Sequence, residues 1–224
     1  MNFAENILSF IKHLDFPFAL PPGIEVMIPF AAEDTFSACK QFYKKFYSDQ
    51  LQRRMIIGIN PGRFGGGVTG IPFTDPIRLQ DDCGIANEWP KKQELSSLYI
   101  YEMIKAFGGV TDFYRHYYVT AVSPLGFTSQ GKNLNYYDSK PLQDDIKPFV
   151  IDCMKKQLSF GIDRKKAFCL GDGKNFKYLS KLNEEQHFFE TIVPLPHPRF
   201  IMQYRLKKKQ EYIDRYTAAL GSGY

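Results

Sequence analysis

The chain has 224 residues, 44% hydrophobic, 24% charged and 16% aromatic, with 29 Lys and Arg against 24 Asp and Glu. This excludes a disordered or low-complexity chain, and no run approaches the roughly 18 apolar residues of a membrane helix. The net charge of +5 permits a nucleic-acid partner without demanding one.

At about 150 residues per domain, the length fits one compact α/β domain over 1–220, with a short N-terminal helical extension over 1–24. The opening MNFAENILSFIKHLDF carries acids and lacks a basic leader, so it does not read as a secretion signal. Helical spacing of Phe3, Ile7, Leu8, Phe10, Ile11 and Leu14 predicts an amphipathic helix over 2–15, broken by Pro17, Pro21, Pro22 and Gly23. A second helix is expected over 33–49, with Phe36, Cys39, Phe42, Tyr43 and Phe46 on one stripe. Met55–Ile59 is an apolar run without alternation, as in a parallel strand buried on both faces. Residues 61–76, rich in Gly and Pro, read as a loop.

A helix over 94–107 closes at Gly108-Gly109, and 117–122 is a second strand ended by Ser123-Pro124. A polar loop over 128–140 leads to a helix over 142–160. A third strand, 167–170, runs into Gly171-Asp172-Gly173, and a helix begins over 174–182. The fourth strand, 192–195, precedes Pro196-His197-Pro198, and a last helix covers 203–219. Residues 221–224 read as a flexible tail or a cloning scar. Strands alternating with helices imply three layers, α/β/α, around a mostly parallel four-stranded sheet. Ligands of such sheets sit outside the carboxyl ends of the strands, so Asn60–Asp75, Ser123–Asn135 and Pro196–Tyr204 should share one site.

The four cysteines lie far apart and none belongs to a C-x-x-C pair, so they read as buried, reduced thiols suited to a cytoplasmic setting. His13, His116 and His187 lack metal-ligand spacing, and no metal or organic cofactor is expected. The segment Gly58-Ile59-Asn60-Pro61-Gly62-Arg63-Phe64-Gly65-Gly66-Gly67 lacks the Lys of a P-loop, and its Pro opposes a dinucleotide-binding turn. Asn60-Pro61-Gly62 is also a reasonable strand-ending turn.

The longer string Gly58 to Phe73, GINPGRFGGGVTGIPF, resembles motif one of the uracil-DNA glycosylase superfamily. It is most similar to the single-strand-selective monofunctional branch, whose segment reads G-M-N-P-G-P-F-G-x-x-x-T-G-V-P-F. Ser123-Pro124-Leu125, Gly131-Lys132-Asn133-Leu134, Leu170-Gly171-Asp172-Gly173 and His197-Pro198-Arg199 extend the likeness over roughly residues 25–220. The last is a shortened form of the family's H-P-S-P-R.

The resemblance implies a monofunctional DNA glycosylase that removes uracil, with xanthine and hypoxanthine as further candidate bases, from single- or double-stranded DNA as a monomer. Its chemistry can be argued from charge. As the N-glycosidic bond breaks, the sugar becomes strongly electrophilic and the base leaves as an anion. A neutral amide, Asn60, suffices to position water, and His197 is placed to donate to the departing base. Phe73 would stack on the base, with backbone N–H groups around Gly62 and Arg63 at its edge. Arg199, Phe200, Ile201 and Met202 are candidates for wedging the duplex open, and Arg205, Lys207, Lys208 and Lys209 for phosphates.

Two positions depart from the family. Arg63 replaces a Pro, and Ala121 stands where an Asn reads the base edge, with Thr120 or Ser123 as possible substitutes. The loss of that amide predicts broadened base selection. Two alternatives accompany this reading: a mismatch-specific uracil/thymine glycosylase, against which the His-Pro motif argues, and a module that binds damaged or single-stranded DNA without cutting it.

Overall fold

In the computed structural model, which describes residues 1–221, the chain runs α1 (Phe3–Lys12), β1 (Ile24–Met27), α2 (Glu33–Tyr47), β2 (Arg54–Gly58), α3 (Gly66–Thr69), α4 (Pro76–Asp81), α5 (Leu95–Phe107) and α6 (Val110–His116). It continues through β3 (Tyr117–Ala121), β4 (Gly126–Ser129), β5 (Lys132–Leu134), α7 (Lys140–Asp145), α8 (Lys147–Leu158), β6 (Lys166–Leu170), α9 (Lys174–Gln186), β7 (Thr191–Leu195), α10 (Pro198–Tyr204) and α11 (Lys209–Gly221).

The expected four-stranded sheet is present and wholly parallel, in the order β3-β2-β6-β7. β2, β3 and β6 are buried along nearly their whole length, which is why their sequences do not alternate. β7 lies at an edge, where Pro194, lacking an N–H, removes one donor from the open side. The chain leaves β2 for β3 on one side and returns to β6 on the other. The topology therefore switches at β2, and Asn60 stands just past its carboxyl end.

Helix α1 packs on α2 and α8, while α5 packs on α10 and α11. Most of the abundant aromatics are core. Phe3, Phe42, Tyr47 and Tyr114 form a chain of ring contacts, and the fully buried Arg53 guanidinium stacks at 4.7 Å on both Phe3 and Tyr47. That buried charge is met in full: Asp49 accepts from both terminal nitrogens at 2.7 and 2.8 Å, and the Tyr114 carbonyl accepts from Nε at 2.8 Å. All four cysteines are buried free thiols, pushed up to about 12 by that burial.

Several expectations need correction. The segment 61–76 is not all loop, since it contains the one-turn α3. The polar stretch 128–140 holds most of a β4–β5 hairpin, which with β1 makes a second, antiparallel sheet in the order β1-β4-β5. Its turn, Gln130-Gly131, has φ of 48° and 68°, the left-handed pair that a two-residue hairpin requires. The helix expected over 142–160 is two helices, α7 and α8, each with a proline in its first turn, Pro141 and Pro148. The helix expected over 203–219 is likewise divided: α10 ends at Tyr204, a 3-10 turn covers Leu206–Lys208, and α11 then runs through Gly221. The rest of the expected tail, 222–224, lies outside the described residues.

Candidate active site

The carboxyl ends of all four parallel strands open into one cavity of about 420 Å³. Asn60 and Gly58 reach it from β2, Ala121 from β3, Gly171 from β6 and His197 from β7. The three segments expected to share a site therefore do so, and Asn60, Phe73 and His197 all line it.

Asn60 is held at both ends of its carboxamide. Nδ2 donates to the Leu134 carbonyl at 3.2 Å, and Oδ1 accepts the Tyr136 N–H at 3.1 Å. These two partners fix which end is oxygen. They come from the end of the β4–β5 hairpin and the loop after it. Tyr136 is itself anchored: its hydroxyl donates to Asn175 Oδ1 at 2.8 Å, and Asn175 Nδ2 donates to the Leu170 carbonyl at 3.0 Å. A buried polar relay thus ties the amide to the ends of β5 and β6.

Phe73 has φ of 54°, a left-handed conformation costly for a side-chain-bearing residue. Its neighbour Thr74 holds the turn, with its carbonyl accepting from Thr69 Oγ1 at 2.6 Å and its hydroxyl meeting Tyr101 at 2.9 Å. The Phe73 ring lies directly on Gly58: a β-carbon there would come within 2.9 Å of it. The ring centroid is 5.9 Å from that of His197, inclined by 51°.

His197 is the N-cap of α10, and its Nδ1 accepts the Arg199 N–H at 3.2 Å. An accepting Nδ1 carries no proton, so the proton sits on Nε2. Burial, helped by the Arg199 charge, lowers the imidazole to about 4, so the ring is neutral at physiological pH. The preceding carbonyl, of Pro196, is gripped by the Tyr216 hydroxyl.

The remaining expected residues divide. Gly62, Thr120, Arg199 and Phe200 line the cavity, joined at its mouth by Gln203 and Tyr204. Arg63 does not: its N–H is taken by Asn133 Oδ1 at 3.0 Å, and its guanidinium bonds the Gly131 carbonyl and stacks over Phe64 at 5.0 Å. Neither hydroxyl proposed to replace the missing amide is free. Thr120 Oγ1 donates to Gln157 Oε1 at 2.6 Å, and buried Ser123 donates to the Leu125 carbonyl at 2.8 Å. Ile201 and Met202 are core residues at 0% and 8% exposure, because the short helix turns them inward, so they cannot wedge DNA. Phe200, Tyr204, Arg205, Lys207 and Lys208 are exposed, whereas Lys209 is paired with Glu102 at 2.6 Å.

Phe10, Ile11, Phe30, Tyr43 and Tyr118 also line the cavity, an apolar and aromatic contribution the sequence did not suggest. Sequence reasoning also passed over Glu94, Tyr136 and Asn175. Asn175, two residues after the Gly171-Asp172-Gly173 turn, had some signal in that turn; the other two had none.

Residues 45–221 match the family model described as the uracil DNA glycosylase superfamily. Among solved structures the chain is similar to the crystal structure of wild-type Pedobacter heparinus SMUG2, with 48% sequence identity over 99% of this chain and 98% of that one and a TM-score of 0.97. Among curated proteins none matches.

Proposed function

The chain belongs to the uracil DNA glycosylase superfamily, as a hydrolase acting on N-glycosyl bonds in DNA repair, and from that premise we propose how its own residues carry out the reaction and which bases it accepts. Asn60 holds the attacking water. Its carboxamide is too weak a base to take a proton early, but the electrophilic sugar makes positioning sufficient. The relay through Leu134 and Tyr136 supplies the rigidity that positioning needs.

The Nε2–H of neutral His197 points its charge stabilisation at the base oxygen, where negative charge grows as the bond breaks. A neutral donor does not attract the anion as strongly as an imidazolium. It also carries no positive charge that would have to be buried before DNA arrives. Phe73 forms the floor on which the extracted base stacks. The enzyme acts without a covalent intermediate, water being the only nucleophile. Arg199 and Phe200 occupy the place vacated by the base, and Arg205, Lys207 and Lys208 contact phosphates.

Base selection is broadened to deaminated purines. Two features support this. No amide stands at position 121 and the neighbouring hydroxyls are already bonded, so fewer buried groups penalise a different base. The cavity volume of about 420 Å³ also leaves room for a second ring.

The observation that carries the reading is the convergence of Asn60, Phe73 and His197 on one cavity. Single-turnover assays on oligonucleotides carrying one uracil, xanthine or hypoxanthine test it. Wild type should release all three bases. Asn60→Ala should lose about two or more orders of magnitude in rate while still binding DNA. Near-wild-type rates in that variant would remove Asn60 from the mechanism, and activity on uracil alone would refute the broadened selection.

A further inference from the structure

The wall of the same cavity carries a carboxyl that the mechanism above does not use, that of Glu94. Its backbone is fixed. The Glu94 N–H donates to Asp75 Oδ2 at 2.8 Å, and Asp75 is fully buried, accepting from Arg78 N–H at 2.8 Å while its own N–H reaches Ser97 Oγ at 2.9 Å. From that point the half-buried side chain lies over the glycine loop. A β-carbon at Gly65 would come within 2.9 Å of Glu94 Cδ, and one at Gly62 would stand 3.9 Å from Oε1. Glycine at 65 is what gives the carboxyl its room. Among the described residues no group hydrogen-bonds its oxygens.

Charged groups approach Glu94 from each neighbouring element. Asp75 faces it from the start of α4 and Arg199 from α10. Arg63 of the glycine loop is committed to the Gly131 carbonyl and the Phe64 ring, and Lys92 of its own segment sits over Phe64 at 3.6 Å. His197, which lines the same cavity, is neutral. Burial and then the Asp75 charge push Glu94 up to about 7, against the pull of Arg199. Near neutral pH the group is therefore often a hydrogen-bond donor.

We propose that Glu94 is a specificity-determining residue, whose protonated carboxyl donates a hydrogen bond to a keto oxygen on the edge of the extracted base. The inference rests on the proposed function of the cavity and deepens it. Deamination makes the same change in every parent base: an exocyclic amino donor becomes a keto acceptor. A donor on the pocket wall matches that acceptor. Against cytosine it would face the N4 amino group, leaving two donors opposed and unpaired. One carboxylic acid thus selects deaminated bases as a class, pyrimidine and purine alike, where an amide fitted to uracil would select one member.

Calorimetric binding of free uracil and cytosine at pH 6 and pH 8 tests this, since both bases stay neutral over that range. In wild type, uracil affinity should fall about tenfold from pH 6 to pH 8 as the carboxyl ionises, and the preference over cytosine should narrow. Glu94→Gln should bind uracil with no such pH dependence, and Glu94→Ala should bind it about ten- to a hundredfold more weakly than wild type at pH 6. A pH-independent wild-type affinity, the same pH dependence in Glu94→Gln, or no uracil binding at either pH would overturn the assignment. The parallel excision assay separates the two claims. Excision with pH-flat base binding sinks Glu94 alone, whereas the binding pattern without excision sinks the proposed reaction and leaves Glu94 in place.

Discussion

His197 and Phe73 each hold an unfavourable state that the fold sustains. For His197 it is a neutral imidazole where water would allow charge. Because its lowered value lies below that of the unfolded chain, the native state binds fewer protons than the unfolded state between about pH 6.5 and 4. Stability from this group is therefore lost as pH falls through that window. The catalytic consequence is a flat acid limb. Single-turnover excision by Glu94→Gln, which removes the other group titrating in the cavity, should not change between pH 5 and 6.5, and a fall as pH rises through about 6.5 would mean that an imidazolium is the donor. For Phe73 the state is a left-handed backbone, and Gly58 is the partner that lets its ring lie flat. Gly58→Ala puts a β-carbon where the ring is, and β2 is too well paired to give way. The ring should be displaced, with excision slowed about tenfold or more and stability lowered by about 1–3 kcal/mol. Kinetics and thermal unfolding of Gly58→Ala beside Phe73→Ala would separate the two effects.

Elements were legible where one physical signal dominated. Met55–Ile59 reads as a buried strand because no polar residue interrupts it, and α5 ends at Gly108 because φ of 134° there suits glycine. The β4–β5 hairpin was not legible. Its strands have four and three residues, too few for alternation to register, and β5 is largely exposed. The division of α10 from α11 had no Pro or Gly to mark it, whereas Pro148 did mark the start of α8. The missed hairpin is the one that matters for chemistry, since it delivers Leu134 and Tyr136 to Asn60. Tyr136→Phe tests that dependence. It leaves Asn175 Oδ1 buried without its donor, which should cost about 1–3 kcal/mol in chemical denaturation. Slackening of the Tyr136 N–H should lower the excision rate several-fold, while affinity for DNA is retained. A loss of stability with no loss of rate would show that the amide does not depend on the relay.

At the scale of the whole molecule, three residues of the site were readable because each stands just past a strand end or in a long motif. Glu94 was not, because its meaning depends on Asp75, Gly65 and Arg199 meeting around it. Charge behaves in the same way. A net +5 says little until the structure divides the basic residues: Arg53 is buried, Lys209 is paired, and Arg205, Lys207 and Lys208 stand exposed beyond the mouth of the cavity. Lys208 also lies 3.5 Å from Glu211, but both side chains are more than half exposed, so that pair is readily exchanged for a phosphate. If these side chains hold the DNA backbone, each releases counterions on binding. The double variant Lys207→Ala/Lys208→Ala should then bind single-stranded DNA more weakly at low salt. The slope of log affinity against log salt should also shrink by about 1.4, from two phosphate contacts at about 0.7 each. The weakening should be equal for strands with and without uracil, since phosphates carry no information about the base. An unchanged slope would place the DNA path elsewhere, across the Phe64 and Lys92 rim of the glycine loop, and leave the basic turn after α10 as a solvated surface.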